Sequence, residues 1–550
     1  MPYSDRLVLV SLNSKYIQSN TAVYYLHEIL QKEGMESDVL SHSINEDFHD
    51  ILASILKSSP AIVCFSCYIW NISLVRELCS AIRTIDAGIR IMLGGPEVSF
   101  EPSEVMEKSG AHLIVRGEGE TVIAEAVRGI KNGVYKAIPG LYYFDGENAV
   151  DTGYAVTENL SAIPFPFTPY MMERERGKLL YYESSRGCPF NCIYCLSSAT
   201  KGVRYLDMER VRSEILKIIE YEPKVIKFTD RSFNSNPARA VELLEFIGRL
   251  DTGTCFHLEI YPGMMNEEMI LALSQMPAGR VQIEAGIQST DVNVLEFSGR
   301  PQDSAAALYN LGRIVGMGNM HVHIDLIAGL PGDSIKSFSK SFNATISVLP
   351  HKLQMGFLKL LKGTRARDIK GYRYTQGPPY EVLVSDAMDY HEIEELRSVS
   401  RFLETFYNSG HFTEYFKYIL SKTDDIFKTF RELSQQYEKF IPSGAGVSRD
   451  GKYLMLSQYS RNDPMALDIL GYDYLSSFRT KVLPPFLGGK ILGKEESFDI
   501  LRSAGGGTPK ELYKTCTIAV FSLFEKSTCL FDYSAMDEVT GRFSVVKIST

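Results

Sequence analysis

Short apolar runs alternate with amphipathic stripes through the first two thirds of the chain. Leu7–Leu12 and Ala61–Ser66 read as strands, and each is followed by a helical stripe: Val23, Leu26, Ile29 and Leu30, then Val75, Leu78, Cys79 and Ile82. Ile91–Leu93 and Leu113–Val115 read as further buried strands. Alternation of this kind predicts a parallel sheet covered on both faces, with its ligands at the carboxyl ends of the strands. Those ends carry Asn13, Ser66, Gly94–Gly95–Pro96 and Gly117–Glu118–Gly119–Glu120. Small residues there either let a bulky ligand approach the backbone or simply make turns.

A second alternation runs from Leu179 to about Gly363, with candidate strands at Leu180–Ser185, Val225–Asp230, Cys255–Tyr261, Arg280–Gln288, His321–Leu330 and Leu353–Leu361. Six strand–helix units of this size predict a partial (β/α)6 barrel, whose site belongs at the C-terminal ends of its strands. Between the two alternations, three prolines in the seven residues Ile163–Pro169 disfavour a helix or a central strand and mark a connector. After Gly371 the pattern weakens into helical stripes and a mixed remainder with no recognisable chemistry. The expected domains are therefore 1–140, a linker at 141–178, the barrel at 179–370 and a mostly helical packing or substrate domain at 371–550. The fold class is α/β.

Composition narrows the partners. The 550 residues carry a net charge of −9, which disfavours nonspecific nucleic-acid binding and a whole tRNA substrate, and favours a small molecule or peptide. No run of apolar residues is long enough for a membrane span, and Met1–Ser11 lacks the pattern of a secretory leader, so the expected location is the reducing cytoplasm. There, clustered cysteines point to metal or redox chemistry. Of nine cysteines, three sit together in Cys188–Pro189–Phe190–Asn191–Cys192–Ile193–Tyr194–Cys195. Three thiolates on one loop can hold three irons of a cubane cluster and leave the fourth iron open. A structural zinc site would need a fourth ligand, and the next Cys and His are Cys255 and His257.

This spacing, with Tyr194 before the last cysteine, resembles the radical S-adenosylmethionine superfamily. The resemblance implies a [4Fe–4S] cluster on Cys188, Cys192 and Cys195, and S-adenosylmethionine chelated by the open iron and cleaved to a 5′-deoxyadenosyl radical. Other positions match in order. Thr229–Asp230–Arg231 closes the second strand, where the family places groups near the methionine amine, although the usual Gly-Gly-Glu is absent. Glu259, in His257–Leu258–Glu259–Ile260, is similar to the third-strand acid of the coproporphyrinogen-dehydrogenase branch. Gly286–Ile287–Gln288–Ser289 is similar to that branch's fourth-strand motif and implies Gln288 and Glu284 near the ribose. Asp325 to Asp333, with Gly329, resembles the fifth-strand motif that packs on adenine.

The first domain resembles the Rossmann-like (flavodoxin-like) cobalamin-binding domain found ahead of the barrel in one large subclass. Gly94, Gly95 and Pro96 match one of its loops and Gly117 and Glu118 another, while Ser66 and Tyr68 lie in the loop that faces the corrin. The Asp-x-His-x-x-Gly motif for histidine ligation of cobalt is absent, so cobalamin would bind without that histidine. Together these resemblances imply a cobalamin-dependent radical methyltransferase acting on an unactivated carbon of a small molecule. It would be served by a reducing partner such as flavodoxin or ferredoxin. Two other readings remain: a radical lyase or rearranging enzyme with the first domain as scaffold, for example in salvage of a modified nucleobase such as queuosine, and a non-catalytic metal-binding module. No catalytic residue beyond the cofactor ligands is assigned.

Overall fold

The strands announced by the apolar runs form within a few residues of their expected bounds in the computed structural model, which describes residues 6–135, 138–441, 446–504 and 508–548. The first five residues, part of the stretch read for a leader, lie outside these. The chain divides into two compact units. One holds 1–260, 298–300 and 358–383; the other holds 261–297, 301–357 and 384–550.

The first unit opens with β1 (Leu7–Asn13), α1 (Thr21–Lys32), β2 (Ser37–Ser43), α2 (Phe48–Leu56), β3 (Ile62–Ser66), α3 (Ile72–Ile85), β4 (Arg90–Gly94), α4 (Pro102–Ser109), β5 (Leu113–Val115) and α5 (Ile123–Asn132). The five strands are parallel in the order β2-β1-β3-β4-β5. The sheet is buried on both faces, which is why β1 is apolar at successive positions: Leu7, Val8, Leu9 and Val10 are all buried. Val8, Val63 and Ile91 pack with Ile51 and Ile55 of α2 and Val75 and Leu78 of α3. Burying a Leu, Ile or Val side chain stabilises by roughly 1.5–3 kcal/mol, so this face alone supplies much of the domain's cohesion.

Two features depart from expectation. The sequence did not announce β2, an edge strand whose Ser-rich Ser37–Ser43 carries no continuous apolar run. The supposed linker 141–178 begins instead with a hairpin, β6 (Leu141–Asp145) and β7 (Asn148–Asp151), that extends the sheet antiparallel beyond β5. Pro164 and Pro166 lie in irregular chain, but Pro169 opens a short helix, Pro169–Arg174, and Leu141, Tyr142 and Tyr143 bury their side chains on the sheet's edge.

The six barrel strands fall three to each unit. In the first, β8 (Leu180–Tyr182), β11 (Val225–Phe228) and β12 (Cys255–Ile260) are parallel, in the order β8-β11-β12. Before β11, β9 (Ser185–Cys188) and β10 (Gly202–Tyr205) pair antiparallel and present the cysteine loop between them. The β1–α1 loop closes onto the segment leading into β8: the Leu179 N–H donates to Ile17 O at 2.8 Å and Thr21 Oγ1 donates to Tyr181 O at 2.8 Å. Residues 358–383 also belong to this unit, so its limits do not follow the expected boundary at 370.

In the second unit β13 (Val281–Gln288), β14 (His321–Ala328) and β15 (Lys352–Phe357) are parallel. Beyond 384 the chain is helical, with helices at Tyr390–Thr405, Thr413–Leu420, Ile426–Phe440, Arg449–Tyr459 and Pro464–Ser477, and ends in a four-stranded antiparallel sheet. No helix among the described residues is long and apolar enough to cross a membrane.

Candidate functional site

The carboxyl ends of β3, β4 and β5 border a cavity of about 400 Å³. All seven residues expected to contact a corrin line it: Ser66, Tyr68, Gly94, Gly95, Pro96, Gly117 and Glu118. Its floor is apolar, from Leu9, Cys64 and Met92 of the sheet and Leu26 and Ile123 of the helices. Across from the strand ends it is walled by Ser185, Arg186 and Gly187 of β9, the strand that leads into the cysteine loop.

The glycines of this rim have different reasons to be glycine. Gly95 has φ +110, and a Cβ there would lie 2.6 Å from Cys67 O; Gly117 has φ +91, and its Cβ would lie 2.3 Å from Ala155 O. Both are fixed by the backbone. Gly94 has neither constraint, since its nearest neighbour would be Val115 Cβ at an ordinary 3.8 Å. The fold tolerates a side chain at 94, so the bare backbone facing the cavity fits the close approach of a large planar ligand.

Glu118 is engaged by protein cations. It accepts from Arg204 at 2.6 and 2.9 Å, from Arg186 at 2.9 Å and from the Thr157 N–H at 2.8 Å. Burial works to raise its pKa, but these partners hold the carboxyl below its ordinary value. Arg186 also donates to Glu120 at 2.7 Å and to Glu183 at 2.7 and 2.9 Å. Burial opposes its charge, yet Glu120 and Glu183 hold the guanidinium firmly charged. This half-buried network fastens the β5 loop to the β9–β10 hairpin, a stiff wall between the cavity and the cysteines.

The cysteine loop is held by residues from distant parts of the chain. The Ile193 N–H donates to Ser298 O at 3.0 Å and the Ala366 N–H to Ile193 O at 2.9 Å; Asn191 O accepts from Arg365. Gly299 has φ +67 and lies so close to Asn191 O that a Cβ would come within 2.7 Å. The sulfurs have partners too: Arg300 Nη1 lies 3.8 Å from Cys192 Sγ, and Ser232 Oγ 3.7 Å from Cys188 Sγ. None of the nine cysteines forms a disulfide. Three unpaired thiols on one fixed loop, two with donors at their sulfurs, suit an iron–sulfur cluster, whose potential depends on such hydrogen bonds. The sequence reading missed Ser232, Ser298, Arg300 and Arg365. Only spatial proximity marks them, since Arg300 is 108 positions from Cys192.

The residues expected around S-adenosylmethionine divide between the units. In the first, burial raises the Tyr194 phenol, against the opposing charge of Arg300. Asp230 is 1% exposed and its two oxygens accept from the Ser184 N–H (2.8 Å), Ser184 Oγ (2.6 Å) and Ser185 Oγ (2.6 Å). Burial raises its pKa and these donors oppose the rise. In this structure its work is to hold the turn from β8 into β9. Glu259 pairs with Lys227 at 3.0 Å. In the second unit Glu284, His323 and Asp325 each place a polar atom within 4.8 Å of the others. Gln288 sits in a β-bulge at φ +67, a strained position for a residue with a side chain, and its buried Oε1 has no hydrogen-bond partner among the described residues. A buried acceptor without a donor, held at a strained backbone position, fits a site that awaits a hydroxyl-bearing ligand such as a ribose. Gly329, also at positive φ, follows β14.

Three family models match the chain: a B12 binding domain at residues 7–127, the radical SAM superfamily at 182–344, and a protein of unknown function (DUF4080) at 370–518. Among curated relatives, the 2-(S-pantetheinyl)-carbapenam-3-carboxylate methyltransferase of Streptantibioticus cattleyicolor is 25% identical over 424 residues, covering 69% of this chain and 62% of its own. An uncharacterized methyltransferase of Pyrococcus horikoshii is 27% identical over 322 residues, covering 56% and 67%. The chain thus spans about three fifths to two thirds of the length of these relatives. Among solved structures, the cobalamin-dependent S-adenosylmethionine radical enzyme OxsB, with aqua-cobalamin and S-adenosylmethionine bound, superposes with a TM-score of 0.61 at 15% identity, covering 85% of this chain and 78% of that one. At that identity the likeness speaks to fold.

Proposed function

Because the chain belongs to the radical S-adenosylmethionine superfamily and carries a B12-binding domain ahead of the barrel, we propose that it is a cobalamin-dependent radical methyltransferase acting on a small molecule. One observation carries this reading over a scaffold role for the first domain. The cavity at the strand ends of that domain is walled by Ser185, Arg186 and Gly187, which run directly into Cys188. The space for a corrin and the loop for the cluster are therefore built as neighbours within one compact unit.

When bound, the cluster supplies the electron that cleaves S-adenosylmethionine, and cobalamin supplies a transferable methyl group. The protein's part is to bind, orient and exclude water. Cys188, Cys192 and Cys195 hold the cluster, with Ser232 and Arg300 beside two of the sulfurs. Asp230 fixes the turn that aims the loop. Gly94 leaves its backbone bare to the cavity, and the Arg186 network keeps the wall between cavity and loop rigid. Tyr194, Glu259, Glu284, Gln288 and Gly329 are the proposed contacts to S-adenosylmethionine. A low-potential carrier such as flavodoxin or ferredoxin would deliver the electron, in the reducing cytoplasm where thiols stay out of disulfides.

The test is anaerobic reconstitution with iron, sulfide and hydroxocobalamin, followed by product analysis. The reading predicts bound cobalamin in the visible spectrum, and both 5′-deoxyadenosine and S-adenosylhomocysteine among the products. Release of 5′-deoxyadenosine without S-adenosylhomocysteine would assign a radical lyase or rearrangement instead.

A further inference from the structure

A second cavity of the first unit, about 470 Å³, lies beside the first and shares Tyr68, Glu120, Arg186 and Arg231 with it. The β1–α1 loop lines it from Asn13 to Thr21, and Lys227, Thr229 and Glu259 reach it from β11 and β12. Its cations differ in one respect. Arg186 is surrounded by Glu118, Glu120 and Glu183, and Lys227 is paired with Glu259. The guanidinium of Arg231, which borders both cavities, makes no hydrogen bond or ion pair among the described residues, yet lies near enough to Tyr68 to act on its phenol.

The same cavity holds Trp70, the chain's single tryptophan. It is 45% exposed, so one part of its ring is open to the cavity side. The ring is also fixed. Its Nε1–H donates to Leu12 O at 3.1 Å, and its ring stacks on Tyr68 with centroids 4.4 Å apart and planes 5° from parallel. Asn71 locks the loop, accepting from the Tyr68 N–H at 2.7 Å and donating to Leu12 O and Ser66 O. An aromatic platform held rigid at a cavity wall loses little entropy when a flat group stacks on it.

We propose, resting on the methyltransferase reading, that the acceptor is a small molecule with a flat unsaturated ring and a carboxylate or phosphate. The ring lies on the Trp70–Tyr68 platform and the anion on Arg231. Arg231 is then a specificity-determining residue, since its bidentate fork is left uncommitted by the protein.

The reconstituted full chain is titrated with benzoate, phenyl phosphate, benzamide and cyclohexanecarboxylate, read by Trp70 fluorescence and by calorimetry. Benzoate or phenyl phosphate should bind about tenfold tighter than both benzamide and cyclohexanecarboxylate, and the tighter of the two identifies the anion. Arg231→Gln should bring that anion to the level of benzamide, while Arg231→Lys keeps part of the preference. Trp70→Leu, read by calorimetry, should remove the advantage of the flat ring over cyclohexanecarboxylate. Equal affinities for all four probes would overturn the proposal. So would loss of S-adenosylmethionine or cobalamin retention in Arg231→Gln, which would assign the guanidinium to a cofactor. Failure of the methyltransferase reading looks different: no S-adenosylhomocysteine forms while the probe preferences remain.

Discussion

The strand ends of the N-terminal sheet and the helical region 390–477 meet opposite demands. At the strand ends, space is kept open: Gly94 leaves a bare backbone, and charged groups are held in the Arg186 network without filling the cavity. In the helical region, space is filled. Phe402, Phe406, Phe412, Phe416 and Phe430 are all at most 1% exposed, and Phe402 and Phe406 stack with centroids 4.5 Å apart. The buried charge there is closed off as well: Asp473 takes Arg542 at 2.6 Å and the N–H groups of Glu414 and Tyr415 at the start of the helix Thr413–Leu420. Uncommitted polar groups and unforced glycines mark the site. A packing region satisfies its own groups and leaves no local chemical signature.

Substitutions can break this contrast. The largest effect is expected from Cys192→Ser. It should reduce iron content and abolish S-adenosylmethionine cleavage, with the thermal transition of the helical region unchanged by circular dichroism. Next, Phe406→Ala should cost about 3–5 kcal/mol of stability in denaturant titrations, without changing cobalamin bound per folded chain. If it lowered cofactor retention instead, the division between the two regions would be wrong.

A smaller and more pointed test lies within the rim. Gly94→Ala should leave the unfolding midpoint nearly unchanged, because its Cβ meets only Val115 at 3.8 Å, while weakening cobalamin by about tenfold in equilibrium dialysis. Gly95→Ala should do the reverse and destabilise the fold, because its φ is +110 and Cys67 O is in the way. Equal effects on stability would remove the argument that Gly94 is small for a ligand.

A pH-dependent effect concerns Asp333, fully buried after β14, whose pKa burial raises to about 7. Its folded pKa lies above the unfolded value of about 3.9. The fold binds this proton more tightly than the unfolded chain does, so the contribution is full below about pH 4 and lost as pH rises to about 7. Asp333→Asn should therefore gain in melting temperature over the native chain progressively between pH 4 and 7, and hold a constant difference above that.

These contrasts also explain what could be read from the sequence. The strands of both alternations, the cysteine loop and seven of the residues bordering the first cavity were legible, because each is a local pattern: a period, a spacing or a short motif. The parts that were not legible depend on distance along the chain. Arg300 returns to Cys192 across 108 positions, and Arg186 finds Glu118 across 68. Asp230 is an acid at a strand end in the sequence, but Ser184 and Ser185, 46 and 45 positions earlier, decide what its oxygens do. The strand Ser37–Ser43 escaped because only three of its seven residues are buried, at the sheet's edge. After Gly371 the pattern announced helical stripes, a mixed remainder and no chemistry, and the helical region is built from ring contacts that no motif encodes.

On the proposed reading, the cavity at the strand ends and the cysteine loop serve one reaction that moves a methyl group. The most direct measurement follows S-adenosylmethionine labelled as CD3 on the anaerobically reconstituted enzyme, with and without cobalamin, under reduction. S-adenosylhomocysteine should form only when cobalamin is bound, with the label leaving S-adenosylmethionine in equal amount. Formation of 5′-deoxyadenosine at the same rate in both samples, with no S-adenosylhomocysteine in either, would contradict it.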